Sequence, residues 1–399
     1  MSTAELDEHL VGRLRHVARP GMVLAFGDGV GALTGSDNGT SVAATVSAFA
    51  RERGDVTLLL GWTPAPLDGI DTSAFHRVVA LMPGWGVRAV AKDGNTVLLP
   101  TSLAAVPSVL AGPARPDVLI TRMVRRGGTL QFGTEVSWQQ MLLDEGVPVW
   151  VVVDEAAPAA SAEPPVDPQR VTVIATTARG PWELAPREPE PIHEALADEV
   201  LKLVPPGVRL QYGPGQLGTA LLRRTKAPLQ IDTGLLTDAV VDLDRRGLLA
   251  GMPSATYLLG SRLLNEWSEG KPILRGLDHS HDKTRLSRGV PFVAVNTAIE
   301  IDPYGQVNVE GVKDTVVGGI GGHPDYCNAA RLSRGGLSII AVPSRFGNRS
   351  TFVERLTRPA STPAYDVEVI VTEHGAVDLR CADWDQRRRL ITRHFETAA

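Results

Sequence analysis

Leu6, Leu10, Leu14 and Val17 recur at helical spacing, and Pro20-Gly21 closes that pattern before the short apolar run MVLAF. A helix followed by a strand is predicted there. The glycine-rich GDGVGALTGSDNG comes next, then the alanine-rich TSVAATVSAFARERG, then VTLLL. Together with MVLAF these segments make a strand-helix-strand unit. RVVALMP, DVLITRMV and VPVWVVV are continuous apolar runs rather than alternating ones. Such runs suit strands covered on both faces, as in a parallel or mixed sheet.

The periodicity breaks at residues 155–169, EAAPAASAEPPVDPQ, and again at 185–196, APREPEPIHEAL. Both read as loop or linker. A fresh series then begins with the helical IHEALADEVLKLV, followed by VRLQYG, QLGTALLRR and PLQID. The expectation is two open α/β domains, residues 1–189 and 190–399, each a sheet covered by helices. The length of 399 residues agrees with two domains.

Composition narrows the class of partner. With 43% hydrophobic and 21% charged residues and a formal net charge of -5, nothing calls for a nucleic-acid partner. The longest apolar run, Val147 to Val153, is far shorter than the ~20 residues of a membrane helix. MSTAELDEHLVGRLRHVARPG is acidic and helix-periodic where a signal peptide needs a basic start and an apolar core. Cys327 and Cys381 have no paired spacing. A reducing cytoplasm with no disulfide framework is expected.

Two motifs raise the question of chemistry. Asp232-Thr233-Gly234 is the tripeptide of aspartic proteases, but the second Asp-Thr/Ser-Gly that such an enzyme needs is absent. Asp71-Thr72-Ser73 and Asp37-Asn38-Gly39 both depart from it. Upstream, Gly213-Pro214-Gly215-Gln216-Leu217-Gly218 has GxGxxG spacing between a strand and a helix, with Asp232 closing the next strand. Glycines there let main-chain N–H groups approach an anion, either a phosphate or an oxyanion. The segment Gly27 to Ala32, GDGVGA, is a weaker copy that reads as a turn cluster or a cleft-lining loop. His279-Ser280-His281-Asp282 reads as an exposed polar loop, and no zinc-like spacing suggests a metal.

The C-terminal third carries VNTAIEIDPYGQVNVE, GGIGGHPDYCNAARLSRGG and VTEHGAVDLR, in that order. This series resembles the C-terminal domain of the acetyl-CoA hydrolase/transferase family, which includes 4-hydroxybutyrate, butyrate and succinate:acetate CoA-transferases. The match is specific over residues 205 to 380 and looser before them. It implies CoA-transferase-type α/β domains with a site in the cleft between them, a cytoplasmic homodimer, and CoA as substrate or product rather than as a resident cofactor. The partners it implies are an acyl-CoA and a carboxylate acceptor, in acetate or carboxylic acid metabolism.

In that family a glutamate in a strand-end motif [HW]-T-E-[MVL] attacks the thioester. Laid on PLQIDTGLLTDAVVDL, Thr233 matches its threonine, Asp238 its aspartate, and Val241-Asp242-Leu243 its end. Gly234 stands at the nucleophile. The candidate carboxylates that remain are Glu373, Glu300 and Asp232. Candidate CoA or oxyanion contacts are Gly213, Gly215, Gly218, Gly321, Gly322 and Asp325, with Asp325-Tyr326 pinning the loop 318–322. His281, Asp282 and Asn296 are expected on the substrate side. Gly234 also suggests an acyl group bulkier than acetate. The chemistry stays open between hydrolysis, CoA transfer through another carboxylate, and silent CoA binding or regulation; an NAD-dependent oxidoreductase is the reading from GPGQLG alone.

Overall fold

The computed structural model describes residues 6–29, 39–67 and 69–396. The chain forms two compact units. One comprises residues 1–101, 105–184 and 265–277, and the other residues 102–104, 185–264 and 278–399.

The first unit is built on an eight-stranded sheet. Its order is Thr96–Leu98, Arg77–Ala80, Thr57–Leu60, Val23–Phe26, Val118–Arg126, Val149–Asp154 and Thr172–Thr177, all parallel, with Thr129–Gln131 antiparallel to Val118–Arg126. Every residue of Val149–Asp154 is buried, as the unbroken apolar run requires. Helix Glu8–Val17 is capped by Asp7, whose carboxylate accepts from Leu10 N, and it turns Leu10, Val11 and Leu14 into the core. Helix Val42–Arg53 starts at a Ser41 cap and stops at Gly54, which takes a left-handed φ of 75°. Of the glycine-rich GDGVGALTGSDNG, residues 30–38 lie outside the described residues, as do Asp37 and Asn38 of the second protease-like tripeptide.

Residues 155–169 form a partly buried loop within the first unit rather than a linker. Ala157, Ala159, Ala160 and Val166 are buried. Ala162 N donates to Leu274 O, Leu274 N donates to Ala160 O, and Leu130 pairs with Val166. The Glu269 carboxylate accepts from Ala159 N and from Arg126 Nε. This is why residues 265–277 belong to the first unit, where a boundary at 189/190 placed them in the second. Small alanine side chains let the irregular backbone lie close to its neighbour and satisfy its polar groups there. Low periodicity marked an irregular segment, not an exposed one.

The second unit is built on a six-stranded sheet. Its order is Gln230–Ile231, Arg209–Tyr212, Phe292–Asn296, Leu337–Ala341, Val369–Thr372 and Gly375–Asp378. The first five strands are parallel and the last is antiparallel. Arg209–Tyr212 comes first in the chain, its successor lies on one side, and all later strands lie on the other. Strand order therefore reverses between Arg209–Tyr212 and Phe292–Asn296, the switch point at which open α/β sheets bind ligands beyond their carboxyl ends.

Candidate functional site

A cavity of about 380 Å3 opens at that switch point. Its wall includes Gly213 to Gly218 after the first strand, Val295, Asn296 and Thr297 at the end of the next, Ala341 and Pro343 after the third, and Gly319, Ile320 and His323. A larger cavity, about 590 Å3, lies around Arg331, Tyr365, Val367, Glu368, Cys381 and Trp384. It sits where the helix His323–Leu332 ends and the strand Val369–Thr372 begins, at the amino edge of the sheet. The smaller cavity is the candidate site, because ligand contacts in this architecture come from the carboxyl edge.

The turn after Arg209–Tyr212 is shaped by Gly218. A Cβ there would run into the carbonyl oxygen of Gly213 and lie 2.7 Å from the Tyr212 ring, so the first turn of helix Gln216–Arg224 presses directly on the strand end. Around Gly213 and Gly215, by contrast, a Cβ would meet nothing within 4 Å. Those two glycines expose backbone to the cavity. Asn296 is buried and exchanges hydrogen bonds with Gln211 at 3.1 and 3.2 Å. Gln211 and Asn296 thus form a polar pair at the cavity floor.

Asp232 is locked. Arg285 takes it with two nitrogens at 2.7 and 2.8 Å, and Arg209 Nη1 donates at 3.2 Å. Both carboxylate oxygens are engaged by arginines, so the group is held as a structural ion pair. The acidic residue of the dinucleotide fingerprint is thus paired with Arg209 and Arg285 and does not line the cavity beside Gly213 to Gly218.

Glu300 is equally committed. It is fully buried and accepts from Asn308 Nδ2 at 2.8 Å, from Thr357 N and Oγ1 at 2.9 Å, and from Arg349. It ties the ribbon Glu300–Ile301/Val307–Asn308 to the segment around Thr357. Glu373 sits in the tight turn between Val369–Thr372 and Gly375–Asp378, at the carboxyl edge of the sheet. Burial works to raise its pKa, but the hydrogen bonds from Ser344 Oγ at 2.5 Å and Ser344 N at 2.8 Å outweigh it and hold the carboxyl below its usual value. None of the three carboxylates lines the cavity.

Asp325 acts on the loop 318–322 through residues 102–104 rather than by a direct hydrogen bond. Its carboxylate accepts from Ser102 Oγ and Ala104 N, each at 3.0 Å, and burial pushes its pKa up to about 6. Gly321 is held through its carbonyl by Leu103 N and takes a φ of 61°.

His279 to Asp282 is not an exposed loop either: Ser280 and His281 are buried. Asp282 caps the short helix Lys283–Leu286 by accepting from Thr284 N at 2.8 Å. His281 packs against Tyr326 with ring centroids 4.7 Å apart and the planes tilted by 44°. It lies 3.6 Å from the point where a Gly234 Cβ would sit and 2.5 Å from that of Gly322. The structure therefore brings Gly234 and Gly322 together at the Nε2 end of one imidazole. A Gly234 Cβ would also lie 3.2 Å from Tyr326 Oη, so the room opened by the glycine is bounded by those two rings. Burial, and then the nearby Arg285, push the His281 pKa down to about 3. It is neutral at ordinary pH.

The sequence reading missed His323 and Thr297 in the cavity wall. His323 Nε2 faces Thr297 O at 2.9 Å and Nδ1 faces Thr362 Oγ1 at 2.6 Å. The signal was Pro324 in the first turn of a helix, which marks the residues just before it as a helix start. Among the described residues no group of three or more His, Cys, Asp or Glu could hold a metal ion, and no helix is long and apolar enough to cross a membrane.

Comparison with known proteins defines the class. The whole chain has a CoA-transferase-type α/β fold. It superposes on RipA from Yersinia pestis with a TM-score of 0.82 at 22% identity, covering 98% of this chain and 96% of that one. On a 4-hydroxybutyrate CoA-transferase from Porphyromonas gingivalis the TM-score is 0.74 at 20% identity, covering 98% and 95%. Residues 260–393 match the model of the acetyl-CoA hydrolase/transferase C-terminal domain, in line with the family resemblance. The chain is also 24% identical over 333 residues to the 4-hydroxybutyrate coenzyme A transferase of Clostridium kluyveri, spanning 78% of this chain and 77% of the relative.

Proposed function

We propose that the protein is an enzyme acting on a CoA thioester, by hydrolysis or CoA transfer, without a covalent glutamate at position 234. The observation that carries this reading is the switch-point cavity, walled by Gly213 to Gly218 and Gly319 to Ile320, in a chain whose C-terminal part matches the acetyl-CoA hydrolase/transferase C-terminal domain. Main-chain N–H groups of such a turn suit a phosphate or a developing oxyanion. Gly234 has no side chain to be acylated, so in hydrolysis the acyl group passes to water with release of CoA. In transfer the acceptor carboxylate attacks the thioester to give a mixed anhydride and CoA thiolate, which then attacks the acceptor's carbonyl and releases the first acid, with no enzyme-bound glutamyl thioester. Of the three candidate carboxylates, Glu373 is the one not fixed by arginine, but like Asp232 and Glu300 it stands outside the cavity wall, so this reading gives none of the three the role of general base.

The absence of a side chain at Gly234 leaves room bounded by His281 and Tyr326, which in this reading admits an acyl group bulkier than acetate. A homodimer, a cytoplasmic location and the absence of a resident cofactor belong to the same reading and rest on the family resemblance. Mass spectrometry of the purified protein with an acyl-CoA panel, with and without a carboxylate acceptor, is the test. Free CoA without acceptor means hydrolysis, and exchange only with acceptor means transfer. CoA binding with no turnover of any thioester would replace this reading by a silent CoA binder, the alternative that Gly234 itself favours.

A further inference from the structure

His281 Nε2 is buried with no hydrogen-bond partner. Buried polar atoms in folded proteins are nearly always paired, so an orphan that faces two glycines calls for a ligand group. The other ring nitrogen, Nδ1, lies 3.0 Å from Ser280 Oγ. With the Ser280 hydroxyl donating to Nδ1, Nε2 carries the hydrogen and is a donor lacking an acceptor. Tyr326 closes the niche: its hydroxyl donates to Ser280 O at 3.3 Å and retains acceptor capacity. Gly322 is the N-cap of the ten-residue helix His323–Leu332, so the positive end of that helix points at the same place.

We propose that His281 Nε2, close to both Gly234 and Gly322, is the hydrogen-bond donor to an oxygen of the acyl group, beside the position that the family resemblance assigns to a glutamate. This rests on the reading of the protein as an acyl-CoA enzyme. The shared chemistry is a carbonyl or carboxylate oxygen, which comes either from the thioester or from a free carboxylic acid. A neutral imidazole suits this task because it donates without adding a buried charge. His281 is then a catalytic residue in the strict sense, touching the oxygen on which charge develops when the thioester carbonyl is attacked. The segment 319–322 carries the connection to the larger site, since Gly319 and Ile320 line the cavity while Gly322 lies against the imidazole.

The experiment uses the full chain with 15N-labelled histidine. The probes are CoA, free butyrate, and the ketone analogue of butyryl-CoA in which methylene replaces the thioester sulfur. Calorimetry on the same samples measures whether each probe binds. The expected result is a shift of the His281 Nε2 resonance with the analogue or with butyrate, and none with CoA alone; which of the two shifts it identifies the source of the oxygen. His281→Phe should weaken analogue binding about tenfold while leaving CoA affinity unchanged, and His281→Gln should recover part of the loss by supplying an amide donor. If CoA and the analogue bind and the resonance stays still with every probe, the assignment of His281 is overturned and the acyl-CoA reading stands. If neither CoA nor the analogue binds, the acyl-CoA reading falls and this inference with it. The wild-type resonance keeps the test decisive should His281→Phe fail to fold.

Discussion

Each unit has a glycine-bearing turn after its first sheet strand, where strand order reverses, and the two turns are built for different ends. In the first unit, a Cβ on Gly27 would run into the Gln139 amide and lie 2.5 Å from Thr121 Oγ1, and one on Gly29 would run into the Glu135 carboxylate. Asp28 between them accepts from Trp62 N and Ser137 Oγ, each at 2.7 Å. Space beside those glycines is filled by polar side chains. In the second unit, Gly213 and Gly215 face open space and a cavity. A glycine admits a neighbouring side chain in one turn and a ligand in the other, and the residue type is the same.

The largest expected effect concerns the acid that follows the open turn. Asp232→Ala should leave Arg209 and Arg285 without their shared partner and cost about 3–5 kcal/mol in urea melts. Loss of turnover with unchanged stability would instead mark Asp232 as a reacting group and undo its structural assignment.

A second contrast is in pH. Burial pushes the Glu135 pKa up to about 7, with Arg122 opposing, while the His281 pKa is pushed down to about 3. For Glu135 the folded protein binds more protons than the unfolded chain between its unfolded value of ~4.3 and about 7, so its contribution is present below that window and lost as pH rises through it. For His281 the unfolded chain binds more protons below ~6.5, so stability is present above that value and falls as pH drops toward 3. Glu135→Gln should therefore raise stability at pH 7 relative to pH 5, and His281→Phe should flatten the loss on acidification, each by roughly 3 kcal/mol at most. Denaturant melts from pH 4.5 to 7.5 would show it; parallel curves for wild type and both variants would contradict the assigned environments.

The smallest effect is the most direct test of the comparison. Gly27→Ala should destabilise by about 1–3 kcal/mol, the cost of overpacking a filled site. Gly213→Ala should change stability by no more than ~0.5 kcal/mol, as at an open surface position, yet weaken CoA binding in calorimetry. Equal stability losses for the two would erase the distinction between a filled turn and an open one.

Much of the architecture was legible in order along the chain. Continuous apolar runs such as VPVWVVV became fully buried parallel strands, because a strand covered on both faces has no polar side to show. GPGQLG became a strand-to-helix turn, because only glycine at 218 lets the helix press on the strand end. The alanine-rich 155–169 is the loop its composition suggested, but its partial burial was not legible, since it depends on hydrogen bonds to residues more than a hundred positions later. The chain does not announce those partners locally.

The candidate site divides in the same way. Local sequence determined which residue types were available: glycines at 213, 215, 234 and 322, carboxylates at 232, 300 and 373, a histidine at 281. Only the tertiary structure decided that arginines hold Asp232, that Asn308, Thr357 and Arg349 hold Glu300, and that Gly234 and Gly322 meet at the Nε2 end of His281. The physical reason is that a side chain's chemistry follows from what solvates it. Solvation inside a protein comes from groups distant in sequence and adjacent in space.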